Sequence, residues 1–278
     1  MNDAASGGAR VTYLGADGSH SPSPHLGFGI DVGGSGIKGA IVDLRTGSFV
    51  GERHRIATPQ PATPDAVART CAEITDHFGW TGPVGITVPG IVRGGVVRSA
   101  ANIDHTWEGA ELQPLFGSHL GGRTVVGLND ADAAGLAELR FGIGRDTLGP
   151  ADESGTVILL TIGTGIGSAL FHNGVLVPNT EFGHLEVGGK IAEHRASAKV
   201  REEKGWSLAK WSRKFSRVLT HYERIFSPDL FVIGGGISTK ADIWLPMLAV
   251  ETPVVAAELR NTAGIVGASM AVDEGLRM

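Results

Sequence analysis

The chain has 278 residues, enough for one or two domains with a sizeable core. A net charge of -5 argues against a nucleic-acid binder that relies on bulk positive charge. A single cysteine, Cys71, excludes an intrachain disulfide and a cysteine-rich zinc site, and no apolar run is long enough to read as a membrane span. Residues 1–25 read as a disordered tail: through Pro24 they are rich in Gly, Ala, Ser and Pro. They lack the apolar core of a signal peptide, which predicts a cytoplasmic protein.

Leu26-Gly27-Phe28 leads into Gly29-Ile30-Asp31-Val32-Gly33-Gly34-Ser35-Gly36-Ile37-Lys38-Gly39, and Ala40-Ile41-Val42-Asp43 follows. The pattern predicts a strand, a glycine-rich turn and a second strand. Glycines let the backbone approach an anion without Cβ obstruction, and successive N–H groups in such a turn can cradle phosphate. Asp31, at the end of the first strand, could hold a hydrated divalent cation. Rossmann and Walker loops open into a helix; a strand follows here, so neither applies. The plain alternative is a glycine hairpin.

Phe49 to Ile56 reads as a third antiparallel strand. Thr63 caps a helix with Pro64 at its first position; Val67, Cys71, Ile74 and Phe78 mark its apolar face. Val84 to Val88 is a buried strand, and Ile91 to Val97 a hairpin around Gly94-Gly95. Ser99 to Trp107 is a polar loop of the kind that carries binding residues.

Thr124 to Leu128 is a strand, Asn129-Asp130 follows, and Ala131 to Phe141 is a helix-forming run. The helix macrodipole predicts an ionised Asp130, able to accept a hydroxyl proton; the alternative is that Asn129 or Asp130 is simply an N-cap. Thr156 to Ile162 enters Gly163-Thr164-Gly165-Ile166-Gly167, then Ser168 to Phe171, the hairpin signal Asn173-Gly174, and Val175 to Val177. This repeats the opening unit, with Leu160-Thr161-Ile162-Gly163-Thr164-Gly165 standing for Ile30-Asp31-Val32-Gly33-Gly34-Ser35. Two such turns imply two related lobes facing one phosphate chain.

Asn179 to Glu186 and Ala192 to Arg195 gather carboxylates and imidazoles, read as a partly buried loop that could grip sugar hydroxyls, with a solvated charged surface as the alternative. From Trp206 onward, Trp211, Phe215, Val218, Leu219, Tyr222, Ile225 and Phe226 recur at helical spacing. The opposite face carries Lys210, Arg213, Lys214 and Arg217, with Lys199, Arg201 and Lys204 just before: a guide for a polyanion, or a solvated face. Leu230 to Ile233 enters a third glycine turn, Gly234-Gly235-Gly236, suited to a nucleotide or the far end of a phosphate chain. Pro253-Val254-Val255 is a last strand, and Ala263 to Gly275 is helical.

These motifs resemble the ROK (repressor, open reading frame, kinase) family of sugar kinases over essentially the whole chain after the tail. Asp31 to Lys38 looks like the first phosphate motif, with Ser35 where Thr is usual. Asn129 to Ala134 looks like the segment of the catalytic aspartate, which falls on Asp130. Glu181-Phe182-Gly183-His184 matches the sugar-binding Glu-x-Gly-His, Asn102 the loop asparagine, and Glu193 the glutamate after the usual zinc segment. Here that segment, Leu185 to Ala192, has no cysteine, so no structural zinc is expected. In this the chain is similar to the family's actinobacterial polyphosphate-using glucokinases and glucomannokinases.

The resemblance implies an α/β, two-lobed actin/hexokinase-like (ribonuclease H-like) ATPase fold with duplicated mixed-sheet domains and an interlobe cleft. The lobes would be residues 26–139 and 140–278, with the last helix packing on the first lobe. It implies transfer from inorganic polyphosphate and/or ATP to the 6-hydroxyl of glucose, with mannose as a further acceptor. Asp130 would be the base. Asn102, Asn129, Asp130, Glu181, His184 and Glu193 would hold the sugar. Gly33, Gly34, Ser35, Lys38, Thr164, Gly165, Gly234, Gly235, Gly236, Lys199 and Arg201 would hold the donor, with Mg2+ at Asp31. A homodimer is expected by family analogy, with no nucleic-acid or membrane partner. A kinase of another hexose or N-acetylhexosamine is the alternative. A sugar-responsive regulator is the other, for which the segment before Leu26 is too short and too rich in glycine and proline.

Overall fold

The computed structural model describes residues 25–100, 103–143 and 155–276. The disordered tail expected before that span lies outside the described residues. Strands β1 (Leu26–Val32) and β2 (Ile37–Asp43) form the opening hairpin, in register from Leu26↔Asp43 to Val32↔Ile37. The single third strand expected over Phe49 to Ile56 is broken into β3 (Ser48–Phe49) and β4 (His54–Ile56), both on β2. Gly51, with φ 82°, interrupts it: left-handed backbone cannot continue an extended ladder.

Helix α1 (Pro64–His77) starts as expected, with the Thr63 hydroxyl accepting from Ala66 N. Its buried Val67, Cys71 and Ile74 pack on the sheet. Strand β5 (Val84–Val88) lies parallel to β1, and the hairpin β6 (Val92–Arg93) and β7 (Val96–Val97) turns at Gly94 and Gly95, both in the left-handed region. The polar loop holds a short 3-10 turn, His105–Trp107, and helix α2 (Leu112–His119) follows, buried through Leu112 and Phe116. Strand β8 (Val125–Asn129) completes a sheet of order β3-β2-β1-β5-β8 and runs into α3 (Asp130–Phe141).

The second sheet repeats this plan. Strands β9 (Thr156–Ile162) and β10 (Ile166–His172) form its hairpin, and β11 (Val175–Val177) extends it on one side. On the other side β12 (Leu230–Gly234) and β13 (Val254–Ala256) run parallel, giving β11-β10-β9-β12-β13. β1 and β9 occupy the same place in the two sheets, so the repeat read in the sequence is a repeat of topology.

Between β11 and β12 lie a 3-10 turn, Phe182–His184, and helices α4 (Ala192–Ala196), α5 (Ala198–Glu203) and α6 (Leu208–Phe226). The segment read as loop is thus partly helical. Trp211, Phe215, Val218, Leu219 and Tyr222 of α6 are buried against the second sheet, whereas Ile225 is 52% exposed. The next residue, Phe226, takes the packed position instead, stacking on Phe182 at 4.4 Å. Trp211 stacks on Phe215 at 4.9 Å and meets Trp244, from α7 (Ala241–Trp244), edge-on at 5.4 Å.

The last helix, α8 (Ala263–Asp273), returns to the first sheet. It sits so close that a Cβ on Gly29 would lie 1.9 Å from the Ile265 carbonyl oxygen, and one on Gly85 1.8 Å from that of Ala268. No helix among the described residues is long and apolar enough to cross a membrane.

Candidate active site

The two glycine turns open onto one cleft of about 400 Å3, within the usual size for a small-molecule site. From the first half it is lined by Asp31, Gly33, Gly34, Asn129 and Asp130; from the second, by Thr161, Thr164, Gly165, Glu181, His184, Glu193 and Gly235, among others. Each turn is closed by a backbone bond: Gly33 N donates to Gly36 O at 3.2 Å, and Gly163 N to Gly165 O, one residue nearer, at 3.1 Å. Nothing lies within 4 Å of where a Cβ on Gly34 or Gly163 would stand, and neither residue is in the left-handed region. The protein's own packing does not demand glycine there. Gly235 differs. Its φ is 79°, and a Cβ would lie 2.4 Å from the Ile162 carbonyl oxygen, so packing alone requires it.

Asp31 is held from two sides. The Thr87 hydroxyl donates to Oδ1 at 3.0 Å, and Lys38, its register partner across the hairpin, places Nζ 3.3 Å from Oδ2. Thr87 is buried and its Oγ also accepts from Val32 N at 3.1 Å, so it locks the turn to β5. Thr87 was not picked out by sequence reasoning; the lone polar residue in the buried run Val84 to Val88 was the available signal.

Asp130 begins α3, and its Oδ1 accepts from Ala131 N at 2.9 Å. The carboxyl is shifted in the direction opposite to that which the helix start alone would give, and it stays mostly ionised at pH 7. Burial pushes the carboxyl up to about 6, the charges of Asp31 and Glu181 add to the rise, and the bond from Ala131 only partly offsets them. Desolvation of the ion outweighs a partial helix charge. The capping role belongs to Asn129, whose Oδ1 accepts from Ala131 N at 2.8 Å and Asp132 N at 3.2 Å, while Nδ2 donates to Gly90 O at 3.2 Å.

Across the cleft, His184 lies between two carboxylates: Nδ1 is 3.9 Å from Glu181 Oε2, and Nε2 4.0 Å from Glu193 Oε1. Burial raises the Glu181 carboxyl, and His184 partly counters it. Ser168 of β10 fixes the segment around Glu181, accepting from Phe182 N at 2.9 Å and donating to Thr180 O at 2.7 Å. The Tyr222 hydroxyl donates to Phe182 O from α6. Glu193, in the first turn of α4, reaches back to the second glycine turn, where its Oε2 accepts from Ile166 N at 3.4 Å.

Several expected residues stand elsewhere. Asn102 lies outside the described residues. Lys38 and Gly234 line a smaller chamber behind Asp31 and Asp130, with Glu138 and Arg260. Ser35, Gly236, Lys199 and Arg201 do not line the cleft; Ser35 is exposed and offers its carbonyl to Arg55 at 2.6 Å. Lys199 is nonetheless adjacent, since its backbone N donates to Gly163 O at 3.2 Å. Pro89, Gly90, Ser99 and Thr161 line the cleft and were not singled out. Thr161 was within reach, because the repeat aligns it with Asp31.

The ROK family description matches residues 27–205, which hold both glycine turns, Asp130 and the Glu181 to Glu193 segment. The chain belongs to the ROK family. Among curated ROK relatives it is 57% identical to the polyphosphate glucokinase of Mycobacterium tuberculosis over 94% of this chain and 97% of that protein. Among solved structures it is similar to the inorganic polyphosphate/ATP-glucomannokinase of Arthrobacter sp. strain KM, at 48% identity and TM-score 0.83, covering 90% of this chain and 99% of that one. A ROK glucokinase of Streptomyces griseus, at 24% identity and TM-score 0.76 over 90% of this chain and 100% of that one, shares the fold. The two-lobed actin/hexokinase-like architecture expected from the sequence is therefore the fold of this chain.

Proposed function

We propose that this protein transfers a phosphoryl group from inorganic polyphosphate, ATP or both to the 6-hydroxyl of glucose, and of mannose as a second acceptor. The observation that carries the reading is the convergence, in one cleft, of two glycine turns, a half-buried aspartate and a Glu-His-Glu cluster. The names of the M. tuberculosis and Arthrobacter relatives support the choice of sugar and donor.

In this reading residues 26–139 and 140–278 are the two lobes, and the sugar sits against Glu181, His184 and Glu193 with its 6-hydroxyl toward Asp130. Asp130 accepts the hydroxyl proton. A base near pKa 6 suits that role, being mostly ionised at pH 7 yet basic enough to draw the proton as the bond to phosphorus forms. The protein's remaining work is positioning and charge stabilisation. The two turns lie along the phosphates. Asp31 and Asp130 raise negative charge at the mouth of the first turn, as the upward push of Asp31 on Asp130 records. That environment fits a hydrated Mg2+ held by one carboxylate and by donor oxygens. When bound, the ion would neutralise phosphate charge; Asp31 would hold it.

Helix α5 starts against Gly163, and on α6 Lys210 and Lys214 lie 5.4 and 6.0 Å from the Trp206 ring. This supports a track along which a polyphosphate chain leads to the second turn. A homodimer completes the proposal and is checked by light scattering. The deciding experiment is a coupled assay of hexose 6-phosphate with glucose, mannose and N-acetylated hexosamines against polyphosphate and ATP. Glucose should be the best acceptor with at least one of these donors. Turnover confined to an N-acetylhexosamine, or none with any pair, would overturn the reading.

A further inference from the structure

Asn179 is two residues before Glu181 and belongs to no strand or helix. Its φ is 61°, one of four non-glycine residues in the left-handed region among those described. Asn tolerates that conformation better than most residues. Three bonds hold it there. Its side-chain amide pairs with both backbone groups of Val92: Val92 N donates to Oδ1 at 2.8 Å, and Nδ2 donates to Val92 O at 2.8 Å. The amide thus acts as a one-residue strand on β6. Its own backbone N donates to Asp132 Oδ2 at 2.8 Å. Asp132 is fully buried in the first turn of α3, two residues after Asp130, and its Oδ1 has no partner.

These bonds cross the molecule. Val92 and Asp132 belong to the first lobe, whereas Asn179 leads the segment that Ser168 and Tyr222 fix to the second. Asn129, which caps α3, also reaches Gly90, just before Val92. The start of α3, the 90–92 segment and the head of the Glu181 segment therefore form one hydrogen-bonded block. Each of the three bonds has the length of a strand bond and is at least partly out of water, so breaking one leaves a shielded polar group unpaired.

We propose that Asn179 is a positioning residue that sets Glu181, and with it the acceptor sugar, in register with Asp130. It touches no reacting atom. It acts by tying the sugar-side loop of one lobe to the helix that carries the base of the other. The inference rests on the sugar-kinase reading for what is positioned, not for the tie itself. Catalytic geometry is sensitive to such ties, since a misplacement of about 1 Å can cost roughly a hundredfold in rate.

The test is Asn179→Gly. Glycine adopts the same backbone and keeps the N–H to Asp132, while the amide is lost. The variant should fold, lose roughly ten- to a hundredfold in kcat/KM for glucose, and keep its donor KM. Ser216→Ala is the control for stability alone. It removes a hydroxyl that accepts from Ala249 N at 3.0 Å far from the cleft, and should lower the melting midpoint without touching glucose KM. A second pair guards against misfolding. Asp132→Asn keeps an acceptor for Asn179 N and should retain glucose KM, whereas Asp132→Leu should lose it. Equal glucose kcat/KM in wild type and Asn179→Gly, an equal rise in KM for both substrates, or no difference within the Asp132 pair would each overturn the proposal. Hydrogen exchange separates its failure from failure of the sugar-kinase reading. Backbone amides of residues 180–184 should exchange faster in Asn179→Gly without any substrate, and unchanged protection would sink the tie whatever the acceptor is.

Discussion

Replacing Asp130 with Asn should cripple turnover and strengthen the fold at once. The two effects have one cause. Burial and the Asp31 charge lift the Asp130 carboxyl from 3.8 to about 6. The folded protein therefore binds that proton more tightly than the unfolded chain does. Ionising Asp130 costs the native state in proportion to the shift, ~3 kcal/mol at most at about 1.36 kcal/mol per unit. The cost is fully present above pH 6 and is gone below the unfolded value of 3.8. Asparagine never ionises, and its Oδ1 can still accept from Ala131 N. The variant should thus be more stable than wild type by up to ~3 kcal/mol at pH 7, or roughly 6 °C in melting midpoint. That advantage should shrink as the pH falls from 6 toward 4. Without its base, turnover should fall about a hundred- to ten-thousandfold, while glucose binding by calorimetry survives. The assays are thermal melts from pH 4 to 8 in chelator and the coupled kinase assay at pH 7.5. Near-normal turnover would refute the base assignment, and a lower melting midpoint at pH 7 would refute the electrostatic account.

Glycines with different roles should separate cleanly. Gly34→Ala meets no neighbour, so it should cost under about 0.5 kcal/mol yet raise the donor KM; a normal KM would remove Gly34 from the donor site. Gly85→Ala would drive a Cβ to 1.8 Å from the Ala268 carbonyl oxygen, so it should lose about 3 kcal/mol or more in a denaturant titration. Asp31→Asn should raise the Mg2+ concentration for half-maximal rate about tenfold; an unchanged requirement would place the ion elsewhere. Neutralising Lys199, Arg201, Lys210 and Lys214 together should raise the polyphosphate KM more than the ATP KM and flatten its salt dependence. Equal effects on both donors would discard the track.

Much of the site was legible because its parts are local. The turn at Gly33-Gly34, its copy at Gly163-Thr164-Gly165 and the Asn129-Asp130 helix start each fit within a few residues, and the repeat placed the turns face to face. What was not legible depends on partners distant in the chain. The acid strength of Asp130 is set by burial and by Asp31 and Glu181, none of which a helix-dipole argument can weigh. The tie through Asn179 needs Val92 and Asp132. Helix α2 was missed because its Leu112 and Phe116 offer little periodicity in so short a run. The break in the third strand turns on one residue, Gly51, whose φ of 82° no hydrophobic pattern announces.

The seat of α8 bears on how the molecule is born. Its Ile265 and Ala268 lie directly on Gly29 and Gly85, strands made long before it. Until Ala263 to Asp273 has cleared the ribosome, the backs of β1 and β5 stay bare, so the amino-terminal half cannot mature during synthesis. Joining elements so far apart in sequence is slow, and the waiting sheet is a surface for chaperones or for clumping. Residues 26–143 expressed by themselves should collect in inclusion bodies, and adding the 259–276 segment in trans should rescue them.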